Sequence, residues 1–333
     1  GEGDPVVFGR GVAKNLTVPE GQGTYVVVAP NSPYAIAVAN HNMDENPSTL
    51  YFAPLAKVKD SSTPWRKLAG VEDGVTQFEL RGEMMYFLSQ KGASRFRLLA
   101  TPLTHPDVKH SRVIVPERKA VITGFALARE GIYLRERDGA VSHLLRSTID
   151  GRQVRVVPLP FDGNLYGPVT DPLESGALFN MQSWVQAPRV FSYDPATDAA
   201  SDTGLIPMSK VDSSQLESKE VLAVSYDGTR IPLSIIHKKG MTLDGSHPTI
   251  LNGYGSYGIS MESRFSAVSI ARIERGGVMA VAHVRGGGEY GEDWHRGGQM
   301  LTKPNTILDF IACGQYLIDK GYTSSKYIAA QGG

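Results

Sequence analysis

The side chains best suited to chemistry lie in the last third of the chain, where short apolar runs break into glycines and aromatic residues. Residues 249–252 lead into Gly-Tyr-Gly-Ser-Tyr-Gly, and residues 326–331 lead into Gly332 and Gly333. A short buried strand that ends in a glycine-bounded turn, Gly-x-Ser-x-Gly, lifts a nucleophilic serine to the edge of a sheet. The two glycines match the first two positions of such a turn, and taken alone they are a weak signal for acyl-transfer chemistry.

Acyl transfer by a serine requires a nucleophile, a base, an orienting carboxylate and hydrogen-bond donors for the developing oxyanion. In α/β-hydrolases the chain order is serine, then an acid, then histidine, so all three would follow Gly333. None of the eight histidines is therefore expected to be the base. We predict structural roles for His283, in an apolar run, and for His295, in a loop. What this chain can supply is an oxyanion donor, from the loop after residues 249–252, where these hydrolases hold one.

A second glycine motif suggests a different chemistry. Residues 286–291 match Gly-x-Gly-x-x-Gly after a predicted strand, and Asp309 follows about twenty residues later, as in a dinucleotide-binding fingerprint. That fingerprint opens directly into a helix, whereas residues 292–298 are interrupted by glycines and do not predict one. We therefore expect no nucleotide cofactor at this loop.

Composition argues against several other classes. Lysine plus arginine equals aspartate plus glutamate at 34 each, so there is no global electrostatic case for a nucleic-acid or anionic-membrane partner. No apolar run approaches the ~20 residues that span a bilayer. The single cysteine, Cys313, excludes an intramolecular disulfide, and its apolar helical surroundings predict a buried thiol. His105, Asp107 and His110 come closest to a metal cluster, but their proline-flanked loop predicts solvated side chains and no metal site.

Residues 1–205 are organised as a repeat of short strands. Apolar or alternating runs are separated by Gly, Pro, Asp and Asn, and good helix candidates are absent. Four pairs of runs begin roughly 40 to 50 residues apart, which is the period of a β-propeller blade. The pairs are residues 34–40 with 49–55, 84–89 with 96–103, 131–136 with 143–148, and 177–181 with 190–193. Some four blades fit this length, although a β-sandwich also explains periodic strands.

Residues 206–220 are polar and lack strong periodicity, so we predict a linker there and a second domain over residues 221–333. An Asp-Gly pair at 227–228, between two apolar runs, predicts a hairpin. Apolar runs at 249–252, 277–284 and 326–331 then alternate with helical patterns at 264–275 and 304–320. This order predicts strand, helix, strand, helix, strand, which is the first part of an α/β sheet.

The stretch 221–333 resembles the start of the catalytic domain of the prolyl oligopeptidase family of serine peptidases. The matching motifs, in the family's order and spacing, include Asp-Gly-Thr-Arg-Ile-Pro at 227–232, Gly-Tyr-Gly at 253–255, Arg-Gly-Gly-Gly-Glu-Tyr-Gly at 285–291 and Gly-Tyr-Thr-Ser at 321–324. The resemblance implies a seven-bladed propeller before the catalytic domain, of which this chain would hold the later blades. It also implies a serine nucleophile directly after Gly333, Tyr254 as an oxyanion-binding hydroxyl, and Tyr257 in the pocket for the residue before the scissile bond.

By this resemblance the intact protein is a monomeric serine endopeptidase that cleaves short peptides, preferably after proline, through an acyl-enzyme and without a cofactor. Residues 254–257 are Tyr-Gly-Ser-Tyr, whereas prolyl oligopeptidases usually have Tyr-Gly-Gly-Phe. The version here is similar to the oligopeptidase B branch, which prefers basic residues, so both specificities stay open. Two other classes also stay open: a propeller that binds peptides or partners beside a degenerate hydrolase domain, and an esterase-like hydrolase. We expect the chain to be a piece of a longer protein and inactive alone, and the sequence does not indicate its compartment.

Overall fold

The computed structural model describes residues 3–18, 20–40 and 47–333, which form four four-stranded antiparallel sheets followed by one five-stranded sheet. Each four-stranded sheet is a meander whose strands pair in chain order. The first two sheets consist of β1 (Gly23–Val28), β2 (Tyr34–Asn40), β3 (Thr49–Pro54) and β4 (Arg66–Ala69), then β5 (Val75–Arg81), β6 (Met84–Ser89), β7 (Arg97–Pro102) and β8 (Arg112–Val115). The next two consist of β9 (Val121–Ala128), β10 (Gly131–Asp138), β11 (Val141–Ser147) and β12 (Val154–Val156), then β13 (Asn164–Val169), β14 (Ala177–Gln182), β15 (Arg189–Asp194) and β16 (Ala199–Asp202).

Consecutive four-stranded sheets share a buried apolar core. A small twisted sheet with two apolar faces cannot bury both by itself, so stacking on neighbours is what stabilises a propeller blade. The propeller prediction is confirmed, and the assignment of these blades to the end of a longer propeller stays a prediction. The shared cores contain Ile36, Phe52, Met85 and Phe87 between the first two blades, Leu88, Leu98, Phe125 and Leu134 between the next two, and Tyr133, Leu144, Phe179 and Phe191 between the last two.

The paired runs found in the sequence correspond to the two middle strands of each blade, beginning with β2 and β3. In β2 both faces are covered, and all five residues from 35 to 39 are buried, whereas β15 buries only the alternate residues Phe191 and Tyr193. Several outer strands are short or polar, and none of the three residues of β12 is buried, but β9 is as long as β10 and six of its eight residues are buried. The weak signal of strands such as β12 explains in part why the sequence revealed two strands per blade and not four.

The five-stranded sheet has the order β17-β18-β20-β19-β21. Its strands are β17 (Leu216–Val224), β18 (Arg230–Lys238), β19 (Thr249–Gly253), β20 (Val278–Ala282) and β21 (Ile328–Gln331), and its helices are α1 (Ala267–Glu274), α2 (Glu292–Arg296) and α3 (Pro304–Asp319). β17 and β18 form the predicted antiparallel hairpin, and β18 is antiparallel to β20, while β19 is parallel to both β20 and β21. α1 joins β19 to β20, and α3 lies between β20 and β21, which confirms the predicted alternation.

The two longer helices cover opposite faces of this sheet. Alternate residues of a strand point to opposite faces, and β20 follows this rule. Val281 packs with α1 residues Ile270 and Ile273, whereas Ala280 belongs to the core that contains Cys313 and Leu317 of α3. The Cys313 thiol is buried as predicted, and this burial raises its pKa to about 12.

Two local features bear on the expectations from sequence. β17 begins at Leu216, inside the segment 206–220, and the domain limits 1–205, 206–220 and 221–333 stay a prediction. The expectation of no helix after Gly291 was wrong, because the five residues of α2 follow directly. Two acidic residues in its first turn and two basic residues in its last turn favour this helix electrostatically, despite the glycines around it.

Candidate functional site

Tyr254 follows the last residue of β19, at the edge of the sheet where the parallel strands β19, β20 and β21 end. Its side chain is half-buried. Among the residues that the structure describes, none forms a hydrogen bond with its hydroxyl group. A phenol in this environment can donate to a ligand oxygen while its ring remains packed. This position is compatible with the predicted oxyanion donor.

Tyr257 lies on the same turn, which we call the tyrosine loop (residues 253–258). Its side chain is 56% exposed and its φ angle is 58°. A non-glycine residue in the left-handed region is held there at a cost of about 1 kcal/mol, so the surrounding structure must fix it. Two backbone hydrogen bonds do so: the Gly258 N–H donates to the Gly286 carbonyl at 3.1 Å, and the Ile259 N–H donates to the Ser256 carbonyl at 3.0 Å.

Tyr257 borders a cavity of about 550 Å³ between the propeller and the part of the chain that contains the five-stranded sheet. The walls include Gln77, Thr123 and Arg137 from the propeller, and Gly258, Glu292 and His295 from the other side. The two sides are joined beside the cavity, where the Glu292 N–H donates to the Ser94 carbonyl at 2.8 Å. A larger groove of about 970 Å³ lies along α1, and neither tyrosine lines it. Of the two tyrosines Tyr257 lines the smaller cavity, and we place the candidate site there.

The last two glycines lie at the same edge of the sheet as Tyr254. Gln331 is paired in register with Asn252 of the neighbouring strand. A Cβ atom placed on Gly332 would be 2.6 Å from the carbonyl oxygen of Gly253, which shows how closely the two strand ends approach. A polypeptide that continued from Gly333 would therefore leave the sheet beside the tyrosine loop.

Asp309 has a structural role that is incompatible with the dinucleotide motif. It is completely buried and accepts two hydrogen bonds from the Arg285 side chain, Nε to Oδ2 at 2.8 Å and Nη2 to Oδ1 at 2.6 Å, and a third from the Arg285 backbone N–H to Oδ2 at 3.1 Å. The Ser225 hydroxyl donates to Oδ1 at 2.6 Å as well. The carboxylate is thus committed to the core and cannot face a ribose.

The glycine loop (residues 285–291) is fastened by the same network. Arg285 also donates from Nη1 to Asp227 Oδ2 at 2.6 Å, and this hydrogen bond lowers the pKa of Asp227 to about 2. A Cβ atom on Gly286 would be 2.0 Å from the Gly255 carbonyl oxygen. The glycine at 286 therefore allows this loop to lie against the tyrosine loop, where it positions the site.

His283 lies in a buried polar chain. Its Nε2 is 2.7 Å from the Ser234 hydroxyl, and its Nδ1 is 3.6 Å from Glu289 Oε1, too far for a hydrogen bond; Glu289 Oε1 accepts from the Met261 N–H at 2.9 Å. Serine, histidine and a carboxylate in this order resemble a catalytic triad. All three side chains are buried in the core, however, so a substrate cannot reach them, and the arrangement agrees with the structural role predicted for His283.

His295 lies at the cavity, a place that the sequence did not indicate. Its Nδ1 is 3.3 Å from Glu292 Oε2. Burial raises the pKa of Glu292, but hydrogen bonds with His295 and Arg296 outweigh this effect and hold the pKa below its usual range. Sequence analysis missed the position of these residues because α2 was not predicted and because the opposite wall comes from a distant part of the chain.

Within the described ranges 3–18, 20–40 and 47–333, no group of three or more His, Cys, Asp or Glu side chains is arranged to hold a metal ion. His110 Nδ1 lies 2.8 Å from Asp107 Oδ2, and both side chains are largely exposed, as predicted for this loop. Over the same residues, the helices lack the length and apolar character needed to cross a membrane.

Comparison with known proteins is consistent with this architecture. A family model described as the N-terminal beta-propeller domain of prolyl oligopeptidase matches residues 33–202, and the prolyl oligopeptidase family model matches residues 263–333. Prolyl endopeptidase of Elizabethkingia meningoseptica is 32% identical over 270 residues, which are 80% of this chain and 37% of that protein. A solved structure from a study of two prolyl endopeptidases has a TM-score of 0.79 and 27% identity, over 90% of this chain and 43% of that chain. Prolyl oligopeptidase B from Galerina marginata has a TM-score of 0.86 over 99% of this chain and 46% of its own, and at 23% identity it supports the fold alone.

The chain combines propeller blades with the first part of an α/β-hydrolase domain, and a cavity lies between them. This arrangement defines a class of two-domain hydrolases. The chain belongs to the prolyl oligopeptidase family. It spans 37% of the length of the Elizabethkingia meningoseptica relative.

Proposed function

We propose that this chain is part of a serine peptidase that hydrolyses short peptides through an acyl-enzyme. The observation that carries the proposal is the approach of Gly332 to the tyrosine loop at one edge of the sheet. An oxyanion donor at Tyr254 would then lie beside the point where a nucleophile elbow begins. The serine, the acid and the histidine would follow Gly333, and we propose that residues 1–333 alone are inactive.

Each part of the site has one task in this mechanism. The serine oxygen attacks the carbonyl carbon of the peptide, and its proton passes to the histidine. The carbonyl oxygen becomes an oxyanion, to which the Tyr254 hydroxyl donates a hydrogen bond; the second donor is the N–H of the residue after the serine. The protonated histidine gives its proton to the leaving amine, and water then hydrolyses the acyl-enzyme, so no cofactor is required.

Tyr257 is our proposed wall of the pocket for the residue before the scissile bond. Its constrained backbone and exposed ring would present a flat apolar surface, which suits the pyrrolidine ring of proline. We therefore propose cleavage after proline, which the similarity to prolyl endopeptidases supports. A phenol ring can also border the aliphatic stem of lysine or arginine, so cleavage after basic residues is the alternative.

We further propose that residues 1–205 belong to the propeller, 206–220 to a linker and 221–333 to the hydrolase domain, and that the whole protein is a monomer. The limited cavity between the domains supports short peptides as substrates, because about 550 Å³ accommodates a few residues and not a folded protein. The competing function is a binding module, in which the same cavity holds a peptide without cleaving it. The free hydroxyl of Tyr254, among the described residues, favours the peptidase.

The first test is to sequence the gene beyond the codon for Gly333 and to treat its full-length product with a fluorophosphonate, which labels activated serines. A serine directly after Gly333, covalent labelling and cleavage of a short proline-containing peptide support the proposal. A stop codon or another residue at that position overturns it and favours the binding module. Matched peptides with proline or arginine before the scissile bond then decide the specificity.

A further inference from the structure

We infer that Lys303 is a positioning residue for the proposed oxyanion site, because its ammonium group fastens the tyrosine loop to the start of α3. Lys303 Nζ donates to the Gly255 carbonyl at 2.5 Å and to the Ser256 hydroxyl at 2.8 Å. Both acceptors lie between Tyr254 and Tyr257 in the chain. One cation therefore fixes the backbone that carries both aromatic side chains.

The environment of Lys303 indicates that these two hydrogen bonds are its main compensation for burial. The side chain is half-buried, and desolvation lowers the pKa of its ammonium group. No carboxylate in the described part of the chain forms an ion pair with it. Removing an ammonium group from water is unfavourable unless its protons find acceptors, and here the tyrosine loop supplies them. Lys320, at the other end of α3, lies exposed in the usual way.

We call the two hydrogen bonds from Lys303 to residues 255 and 256 the lysine clamp, or simply the clamp. The backbone is constrained at both of its ends. Lys303 lies between a short 3-10 turn, Met300–Thr302, and the first residue of α3, Pro304, whose ring restricts the backbone. On the other side, Gly255 has a φ angle of 69°, and a Cβ atom there would be 2.5 Å from Thr306 Cγ2. The loop thus lies directly against the first turn of α3, with no side chain of its own at residue 255 to anchor it.

The consequence for catalysis follows from how strictly an oxyanion donor must be placed. The donor acts only when it lies roughly 2.7–3.1 Å from the developing charge, and a displacement of about 1 Å costs on the order of 100-fold in rate. Without Lys303, residues 255 and 256 lose both of their side-chain links to α3. This kinetic consequence rests on the proposed function, whereas the clamp itself is a property of the fold.

The test compares Lys303→Met with the control Lys320→Met in the full-length gene product. We expect backbone amide exchange over residues 253–260 to be at least 10-fold faster in Lys303→Met, because the loop loses its anchor. We expect kcat for a short peptide to fall about 10- to 100-fold, with a smaller change in KM. Lys320→Met should leave both quantities within about twofold of the parent protein, because its side chain is exposed.

A double-mutant cycle separates positioning from general destabilisation. If Lys303 acts through Tyr254, Lys303→Met should reduce kcat less than about threefold in a Tyr254→Phe background, because the donor is already gone. Lys303→Arg retains a cation that can donate to two acceptors and should restore part of the rate. Equal losses in both backgrounds would show a general structural effect and overturn the positioning role.

Different measurements test the clamp and the proposed function, so either one can be contradicted without the other. A full-length protein without peptidase activity overturns the proposed function, and the exchange measurement still decides the clamp. Unchanged exchange over residues 253–260 in Lys303→Met overturns the clamp whatever the activity. If that variant does not fold, Ser256→Ala is used instead, because it removes one of the two hydrogen bonds. Faster amide exchange at residues 255–257 in Ser256→Ala supports the inference. Unchanged exchange together with an unchanged kcat overturns it.

Discussion

Arg137 Nη1 lies 3.2 Å from Glu262 Oε1, which joins the third propeller blade to the segment between β19 and α1. The Arg137 side chain is 5% exposed and that of Glu262 is 21% exposed. Two further hydrogen bonds complete the contact: Asn164 Nδ2 donates to Glu262 Oε2 at 2.9 Å, and Arg137 Nη2 donates to the Gly288 carbonyl at 2.9 Å. Because Arg137 also lines the cavity that Tyr257 borders, this contact holds the two walls of the candidate site together.

Glu262→Gln should weaken this contact substantially. The substitution leaves the buried Arg137 guanidinium without its counter-charge, and breaking one side of such a pair costs about 3–5 kcal/mol. We expect a decrease of this order in the free energy of unfolding, measured by urea denaturation, with faster amide exchange on both sides of the contact. The control is Glu20→Gln, which breaks the exposed pair of Arg10 and Glu20 and should change stability by less than about 1 kcal/mol. Equal effects of the two substitutions would contradict the prediction.

Asp309→Asn tests the network that fastens the glycine loop. The amide cannot accept two charge-assisted hydrogen bonds from Arg285, so the guanidinium loses one buried partner, and we expect a loss of about 3–5 kcal/mol in unfolding free energy. Asp319→Asn, near the end of the same helix, changes only an exposed side chain whose amide oxygen can still accept from Gln315 Nε2, and it serves as the control. A loss no larger than that of the control would show that the network is dispensable.

The buried carboxyl group of Glu79 should make the stability of the protein depend on pH. Glu79 Oε2 accepts from the Leu127 N–H at 2.8 Å, which joins the second blade to the third, and burial raises the pKa of Glu79 from 4.5 to about 7. The folded state therefore binds the proton more tightly than the unfolded state does. The resulting contribution of Glu79 to the free energy of unfolding is fully present below pH 4.5 and is lost as the pH rises through 7. Glu79→Gln keeps an acceptor for Leu127 and removes the titration.

The expected result for Glu79→Gln is a gain in stability over the parent protein at pH 8, on the order of 2 kcal/mol, and no gain at pH 4. Urea denaturation at the two pH values measures it. A difference between the variant and the parent protein that is the same at both pH values would mean that Glu79 does not titrate between them.

Tyr254→Phe tests the oxyanion role in the full-length gene product. Removing one donor should reduce kcat about 100- to 1000-fold, which corresponds to about 3–4 kcal/mol, and should change KM little, because the interaction forms only as charge develops. Tyr226→Phe is the matched control: that hydroxyl donates to Asn305 Oδ1 at 2.6 Å on the exposed surface, and its loss should leave kcat unchanged. An unchanged kcat in Tyr254→Phe removes this residue from the mechanism.

The sequence predicted the elements whose signals are local. β2 is a continuous apolar run because both of its faces are covered, β15 alternates because one face is exposed, and α3 has an apolar stripe at helical spacing because one face packs on the sheet. The link from Arg137 to Glu262 spans 125 residues of chain, and that from Lys303 to Gly255 spans 48. No pattern in a single sequence joins residues so far apart, so these contacts emerge only from the fold. The role of Tyr254 came from family resemblance and stays a proposal.

The contact at Ser94 has a consequence for how the cavity can change. The carbonyl of Ser94 accepts from the backbone of residue 292, and a Cβ atom on the preceding Gly291 would be only 2.3 Å from that same oxygen. The two parts of the chain meet here through their backbones, and a single methyl group at residue 291 would clash with the Ser94 carbonyl and push them apart. Beside Ser94 the distance between the two walls is therefore set by the dimensions of the peptide backbone. Substitutions of lining side chains elsewhere in the cavity can change which ligands fit without changing the spacing at this point.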